Sequence, residues 1–273
     1  FNKTIPGNPT LYNYDITDFI KGSPPIDFQP DQYYYNYPGH SGKFILKRNM
    51  QAVLQKQESI QINCLATDGS AWQIKSADGY IYDFNQYETY TDLGTHKSAW
   101  YLTKITSPSG NFITFNYTTI TNYVQSVGSY SETNDVFQFT ADPGGGMITS
   151  NGYQYGPVPG KQYVTKYLSS IDFTNGRVTF NYSNSRTDLP NDPRLDSVTV
   201  YNQGAVQPIK TVAFSYDYFN GTVDPSFNSG SAGSLSQRLK LSQVVEKGYY
   251  NGQLIQNPPY IFTYNEFSNV LPA

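Results

Sequence analysis

The chain holds one cysteine, Cys64, and two histidines, His40 and His96, in 273 residues. A single cysteine closes no disulfide within the chain, so packing and hydrogen bonding must carry the fold. These three residues also lack the close ligand spacing of a zinc site. Charged side chains make up 14% of the sequence and the formal net charge is -3. That composition argues against a basic surface collecting phosphate backbones, and no nucleic-acid partner is expected. No apolar run reaches the ~18 residues that mark a membrane-spanning helix, so no direct membrane span is expected. The opening FNKTIPGNP has no basic region leading into an apolar core, and the chain reads as soluble.

What the sequence does have is aromatics: 26 Tyr, 16 Phe and 2 Trp, outnumbering the charged residues. Aromatic rings suit the pleated, half-buried surface of a sheet, and 22 Gly with 17 Pro punctuate short strands. The expectation is an all-β protein with little helix. The first thirty residues are proline-rich, and LYNYDITDFI at 11–20 reads equally as a short strand or a helical turn. From residue 32 onward the strand pattern is clear. YYYNY and KFIL flank PGHSG, a turn is expected at 48–50 with a strand at 52–55, and IQINCL follows. AWQIK and YIYDF then flank SADG; Tyr80, Tyr82 and Phe84 share one face, with Trp72 and Ile74 as the matching stripe opposite.

A motif recurs four times: a leading Leu, a turn, and a closing Phe-x-Tyr. YLTKI leads to FITFNY, YLSSI to RVTFNY, RLDSV to VAFSY, and RLKLSQV to YIFTY. From Leu102, Leu168, Leu195 and Leu239 to the closing Tyr the intervals are 15, 14, 21 and 25 residues. Growth confined to the turn is what an exposed hairpin tip permits. Leu and Ile in the first arm depart from a strict period of two, which predicts a twisted strand or a bulge. Because one hairpin cannot bury a face alone, the units are expected to pair edge to edge. The expected architecture is repeated antiparallel β-hairpins in an extended, strongly twisted or rolled sheet. Residues 1–92 read as a β-rich N-terminal segment and 93–273 as the hairpin-repeat region, with one continuous domain as the alternative. Polar insertions at 131–160, with a strand candidate at 136–139, and at 219–237 read as long loops.

Three stretches, YYYNYPGHSGKFIL (33–46), WQIKSADGYIYDF (72–84) and YLTKITSPSGNFITFNY (101–117), carry a family likeness. They resemble the region preceding the repeats in large secreted or surface-attached YD-repeat (Rhs-like) proteins of Bacteroidetes. The resemblance spans residues 32–264 and is patchy across the insertions. It implies an extracellular or cell-surface polypeptide whose repeats make a β-rich shell, and it brings no catalytic residues with it. The chain lacks a clean series of YD units, so the resemblance implies a leading module rather than the shell.

The residues themselves offer little chemistry. Glu58, Glu88, Glu132, Glu246 and Glu266 form no local glycosidase pair, SPSG at 107–110 is a hairpin reversal, and Gly144–Gly146 is followed by no phosphate-loop lysine. LPNDPR at 189–194 reads as an Asx turn between prolines, with calcium binding as the alternative. Cys64 reads as a small buried residue. No catalytic residue, metal or cofactor is expected. The lead expectation is a noncatalytic structural or interaction module, partnered by other domains of its own polypeptide or by a surface protein. The alternative is a carbohydrate-binding module in which a polysaccharide stacks on exposed rings. Tyr33, Tyr35, Tyr153, Tyr155, Tyr249 and Tyr250 are its candidate ligand-facing aromatics.

Overall fold

The computed structural model describes residues 31–47, 49–91, 94–124, 129–133, 152–156, 161–189, 192–221 and 237–265. The readings at 11–20, 136–139 and 144–146, and most of the 219–237 insertion, fall outside the described residues. Every regular element described is a strand, all pairings are antiparallel, and the sheet is not closed into a barrel.

A small sheet comes first: β1 (Gln32–Tyr37), β2 (His40–Leu46) and β3 (Ala52–Leu54), in that order. The expected turn before β3 is present, with Met50 at φ 62° and its N–H donating to Lys47 O. β4 (Gln61–Cys64), β5 (Trp72–Lys75) and β6 (Ile81–Phe84) open the large sheet. Trp72 sits opposite Phe84 and Ile74 opposite Tyr82, the cross-strand stripe that the alternation predicts.

The core lies where these two sheets meet. Tyr35, Tyr37 and Phe44 from the small sheet are buried against Trp72, Ile74 and Tyr82. Ring centroids are 4.7 Å apart for Tyr37 and Tyr82 and 5.8 Å for Phe44 and Trp72, distances at which aromatic pairs attract. The indole N–H groups of Trp72 and Trp100 both donate to Gly69 O, at 3.1 and 2.8 Å, so the β4–β5 turn is clamped from two strands.

The large sheet then extends as a meander. β7 (Gln86–Thr91) and β8 (Thr95–Tyr101) form a hairpin, followed by β9 (Lys104–Thr106) and β10 (Phe112–Val124), while β11 (Ser129–Thr133) and β12 (Gly152–Gly156) pair as a separate two-stranded sheet. β13 (Lys161–Phe173), β14 (Gly176–Ser183), β15 (Arg194–Asn202), β16 (Lys210–Asn220) and β17 (Gln237–Tyr250) follow. β18 (Gln253–Gln256) and β19 (Tyr260–Ile261) both pair with β17. The spatial order is β18-β17-β16-β15-β14-β13-β10-β9-β6-β5-β4, so strands from both sides of residue 92 share one sheet. The β7–β8 hairpin reaches past β9 and β10 to pair Thr89–Thr91 with Val164–Gln162 of β13.

One expected arm is broken. YLTKI is not a single strand, because β8 ends at Tyr101 and β9 starts at Lys104. Tyr101 is paired to Gln86 in the β7–β8 hairpin, whereas Lys104 is paired to Asp83 and Thr114, so the chain changes partners across Leu102 and Thr103. Outside the core cluster, Val245 is the one further buried large apolar side chain among the described residues. The meander is therefore held by cross-strand contacts between half-buried side chains rather than by a second core.

Candidate functional site

Each repeated hairpin stops pairing at a fixed point. The last ladder pairs are Lys104–Thr114, Ser170–Thr179, Ser197–Ala213 and Gln243–Ile261. Two residues before the first partner stands a leucine, and three after the second stands a tyrosine. In all four units that tyrosine hydroxyl donates to that leucine carbonyl. The distances are 2.7 Å for Tyr117 to Leu102, 3.0 Å for Tyr182 to Leu168, 2.6 Å for Tyr216 to Leu195 and 2.7 Å for Tyr264 to Leu241. In the fourth unit the bonded leucine is Leu241, two residues beyond the Leu239 expected from the interval count. The residue preceding the leucine packs on the tyrosine ring in three units: Tyr101 on Tyr117, Tyr167 on Tyr182, and the Arg194 guanidinium over Tyr216.

The bulges expected from the uneven apolar spacing lie beside these locks. Pairing slips by one residue between Asn116 and Tyr117, Asn181 and Tyr182, and Ser215 and Tyr216. The skipped residues are Ser169, Asp196 and Ser242, each directly after the bonded leucine of the next unit. Ser169 Oγ donates to Asn116 O at 3.0 Å, and Thr103 Oγ1 makes the matching bond to Asp83 O at 3.0 Å. A bulge takes backbone groups out of the ladder, and a short hydroxyl residue restores a partner at the same spot.

Burial pushes the Tyr117 and Tyr182 hydroxyls above the usual phenol range. Tyr216 rises for the same reason, aided by Asp196 and opposed by Arg194. Tyr101 is pushed up to about 12 by burial and by the Glu88 carboxylate, which accepts its hydroxyl at 3.1 Å. A phenol kept neutral in the fold stabilises it fully below the unfolded value of about 10, and the benefit is lost as pH rises through the folded value. Between those limits alkaline titration should therefore unfold the chain, with part of the phenolate absorbance appearing only near the end. Tyr101→Phe should remove part of that late absorbance, and Glu88→Gln should bring it to lower pH.

The candidate aromatics separate by strand alternation. Tyr35 is 7% exposed and Tyr33 is half-buried beside Phe44, Trp72 and Trp100, so both rings pack in or against the core. The neighbour that points outward is Tyr34, with Lys43 over its ring. Tyr249 and Tyr250 are exposed at the β17–β18 hairpin, but as consecutive strand residues they project to opposite faces. Tyr153 and Tyr155 lie in β12, paired with Glu132 and Tyr130. Among the four candidates whose side chains are described, only Tyr33 and Tyr35 share a face, and that face is the core. His40 stacks on Tyr37 and His96 on Tyr90, and the Cys64 thiol donates to Ala66 O. Among the described residues no group of three or more His, Cys, Asp or Glu is arranged to hold a metal. Two clefts flank the segment between β3 and β4, lined by Ser59, Ile60, Gln61, Lys75, Ser76 and Ala77 on one side and by Gln51, Ala52, Leu54, Gln57, Ile60, Gln61, Ile62 and Asn63 on the other. Neither lining contains a carboxylate, histidine or cysteine.

Two features escaped sequence reasoning. Asp188, just before the LPNDPR turn, is 3% exposed and forms a two-point ion pair with Arg186, at 3.0 and 2.8 Å. Its Oδ2 also accepts the Leu239 N–H of β17 at 3.0 Å, while Thr187 N–H donates to the Tyr218 hydroxyl of β16. The loop is thus a strap across the meander, and the spacing R-x-D is its only local signal. The second feature is the exposed run Tyr260, Ile261, Phe262 and Tyr264 along the last closing strand.

No protein-family model matches the chain, and no curated protein does. Among solved structures it is similar to the N-terminal domain of the effector protein SpvB from Salmonella typhimurium strain LT2, at 11% identity and a TM-score of 0.39. That similarity covers 81% of this chain and 75% of the other, and nothing about function is carried over from it.

Proposed function

We propose that the chain is a noncatalytic structural and interaction module of an extracellular YD-repeat-like polypeptide, which holds neighbouring domains of that polypeptide or a surface protein. The observation that carries this reading is the tyrosine lock, repeated at the same ladder position in four hairpins. A catalytic fold concentrates its polar specificity at one place, whereas here the recurrent polar device fixes the spacing between strands. The family resemblance supplies the extracellular setting. No described helix is long and apolar enough to cross a membrane, which is compatible with that setting without requiring it.

Each lock bond should contribute about 1 kcal/mol net, the usual value for an intramolecular hydrogen bond. Tyr117→Phe, Tyr182→Phe and Tyr216→Phe should therefore each lower the urea midpoint modestly, and the triple variant should lower it further, with some coupling because Tyr117 and Tyr182 are ladder-paired with the leucines that accept the next lock. A triple variant as stable as the parent would remove the lock from the reading. A glycan array tests the module's purpose: no selective retention is expected. Selective retention that Tyr250→Ala abolishes would replace the scaffold reading with the carbohydrate one.

A further inference from the structure

We propose that the outer edge of the fourth unit is a docking site for one more leading strand, supplied by a further hairpin of the same repeat design. This rests on the scaffold reading and adds the identity of the partner. Three closing strands already show what covers such an edge. Tyr117, Tyr182 and Tyr216 are paired with Leu168, Leu195 and Leu241 of the following strand. After the skipped residue, Asn116, Asn181 and Ser215 meet Ser170, Ser197 and Gln243, and Phe115, Phe180 and Phe214 meet Ile171, Val198 and Val244. The incoming strand therefore reads Leu, then Ser or Asp, then Ser or Gln, then Ile or Val.

The fourth closing strand keeps the lock of its predecessors and the adjoining backbone bond seen in the first unit. Tyr264 is locked to Leu241 O, and Phe262 N–H donates to Ser242 O at 3.0 Å, as Phe115 N–H does to Thr103 O at 2.8 Å. Its outer side carries no strand among the described residues. Phe262 and Tyr264 are consequently 43% and 41% exposed, whereas their counterparts in the first three units are half-buried. Because Phe262 bonds inward, alternation turns the N–H and C=O groups of Ile261 and Thr263 toward the open side. Such an edge accepts a strand of matching register through backbone bonds, with side-chain pairs deciding which strand. The one-residue bulge is the selective element. A regular strand aligned on Thr263 would place its next residue, instead of a leucine two positions away, against Tyr264.

The test extends the whole chain at its C-terminus by a flexible linker and a second copy of residues 161–183, and follows amide hydrogen exchange. Docking should slow Ile261 and Thr263 by at least about tenfold, since a strand-paired amide exchanges only on opening. Deleting the residue that corresponds to Ser169 from the added copy should restore fast exchange at both. Unchanged exchange at Ile261 and Thr263, with Phe262 still slow, would overturn the docking proposal while leaving the scaffold intact. Fast exchange at Phe262 as well would instead fault the fourth unit and the scaffold reading with it. Slowing of Ile261 and Thr263 in the unextended chain as its concentration rises would also overturn the proposal, by assigning the edge to a second copy of this chain.

Discussion

Replacing Asp188 with alanine is expected to lower the unfolding free energy by about 3 kcal/mol at neutral pH, because it strands a largely covered guanidinium without its carboxylate. Asp188 is 3% exposed and the Arg186 side chain 19%, so neither charge is returned to water by a small adjustment. The Leu239 N–H loses its acceptor in the same step. Burial by itself would raise the Asp188 carboxyl, but the Arg186 hydrogen bonds, the Leu239 N–H and the Arg186 charge outweigh it and hold the carboxyl below its usual range. The stabilisation is therefore complete above the ordinary aspartate value of about 4 and is lost as pH falls through the lower folded value. Urea unfolding of the parent and of Asp188→Asn should differ most at neutral pH and converge in acid. Arg186→Met combined with Asp188→Leu should recover much of the loss, since replacing both partners leaves no lone buried charge. A gap that persists undiminished in strong acid would show that the strap is held by its backbone contacts instead.

That strap marks the boundary of what can be read in the primary structure. The Leu and Tyr of the first three hairpins are legible because both ends of one hydrogen bond recur in the same short motif, while turn length varies without disturbing them; in the fourth, RLKLSQV offers two leucines and only the fold selects Leu241 over Leu239. The face pattern of β5 and β6 is legible for a similar reason: Trp72, Ile74, Tyr82 and Phe84 are close in sequence and alternate strictly. Asp188 and Leu239 are 51 residues apart, and nothing local in either announces the other. The β7–β8 hairpin is obscure for the same reason, since Thr91 finds its outer partner only at Gln162. Tyr33, Tyr34 and Tyr35 show a different limit. Alternation says that the middle ring faces away from the other two, but which face is covered depends on whether β1 meets a second sheet. Only the meeting of Tyr37 with Tyr82, and of Phe44 with Trp72, decides that the odd-numbered rings go inside.

The same meeting of sheets makes Gly42 a sensitive position in the small sheet. Gly42 lies directly across from Tyr35 in the β1–β2 ladder, and the phenol ring lies over its bare backbone. A Cβ at residue 42 would come within 2.4 Å of Tyr35 Oη and 2.6 Å of Cζ, closer than atoms tolerate. A flexible side chain would swing aside at little cost, but this ring is 7% exposed, touches Tyr37 and Phe44, and has its hydroxyl pushed up to about 12 by burial and by Glu58. Gly42→Ala should therefore cost about 2 kcal/mol, within the usual range for overpacking, and Gly42→Val more. The small sheet touches the rest chiefly through this cluster, so its amides should lose exchange protection before those of β13 to β17 do. The cause is separable from any general intolerance of alanine in β2. In a Tyr35→Ala background the ring is gone, and Gly42→Ala should then be nearly neutral, giving a large coupling between the two positions. Simple additivity of the two changes would mean that the ring does not rest on Gly42, and with it would go the account of why β1 presents Tyr33 and Tyr35 to the core.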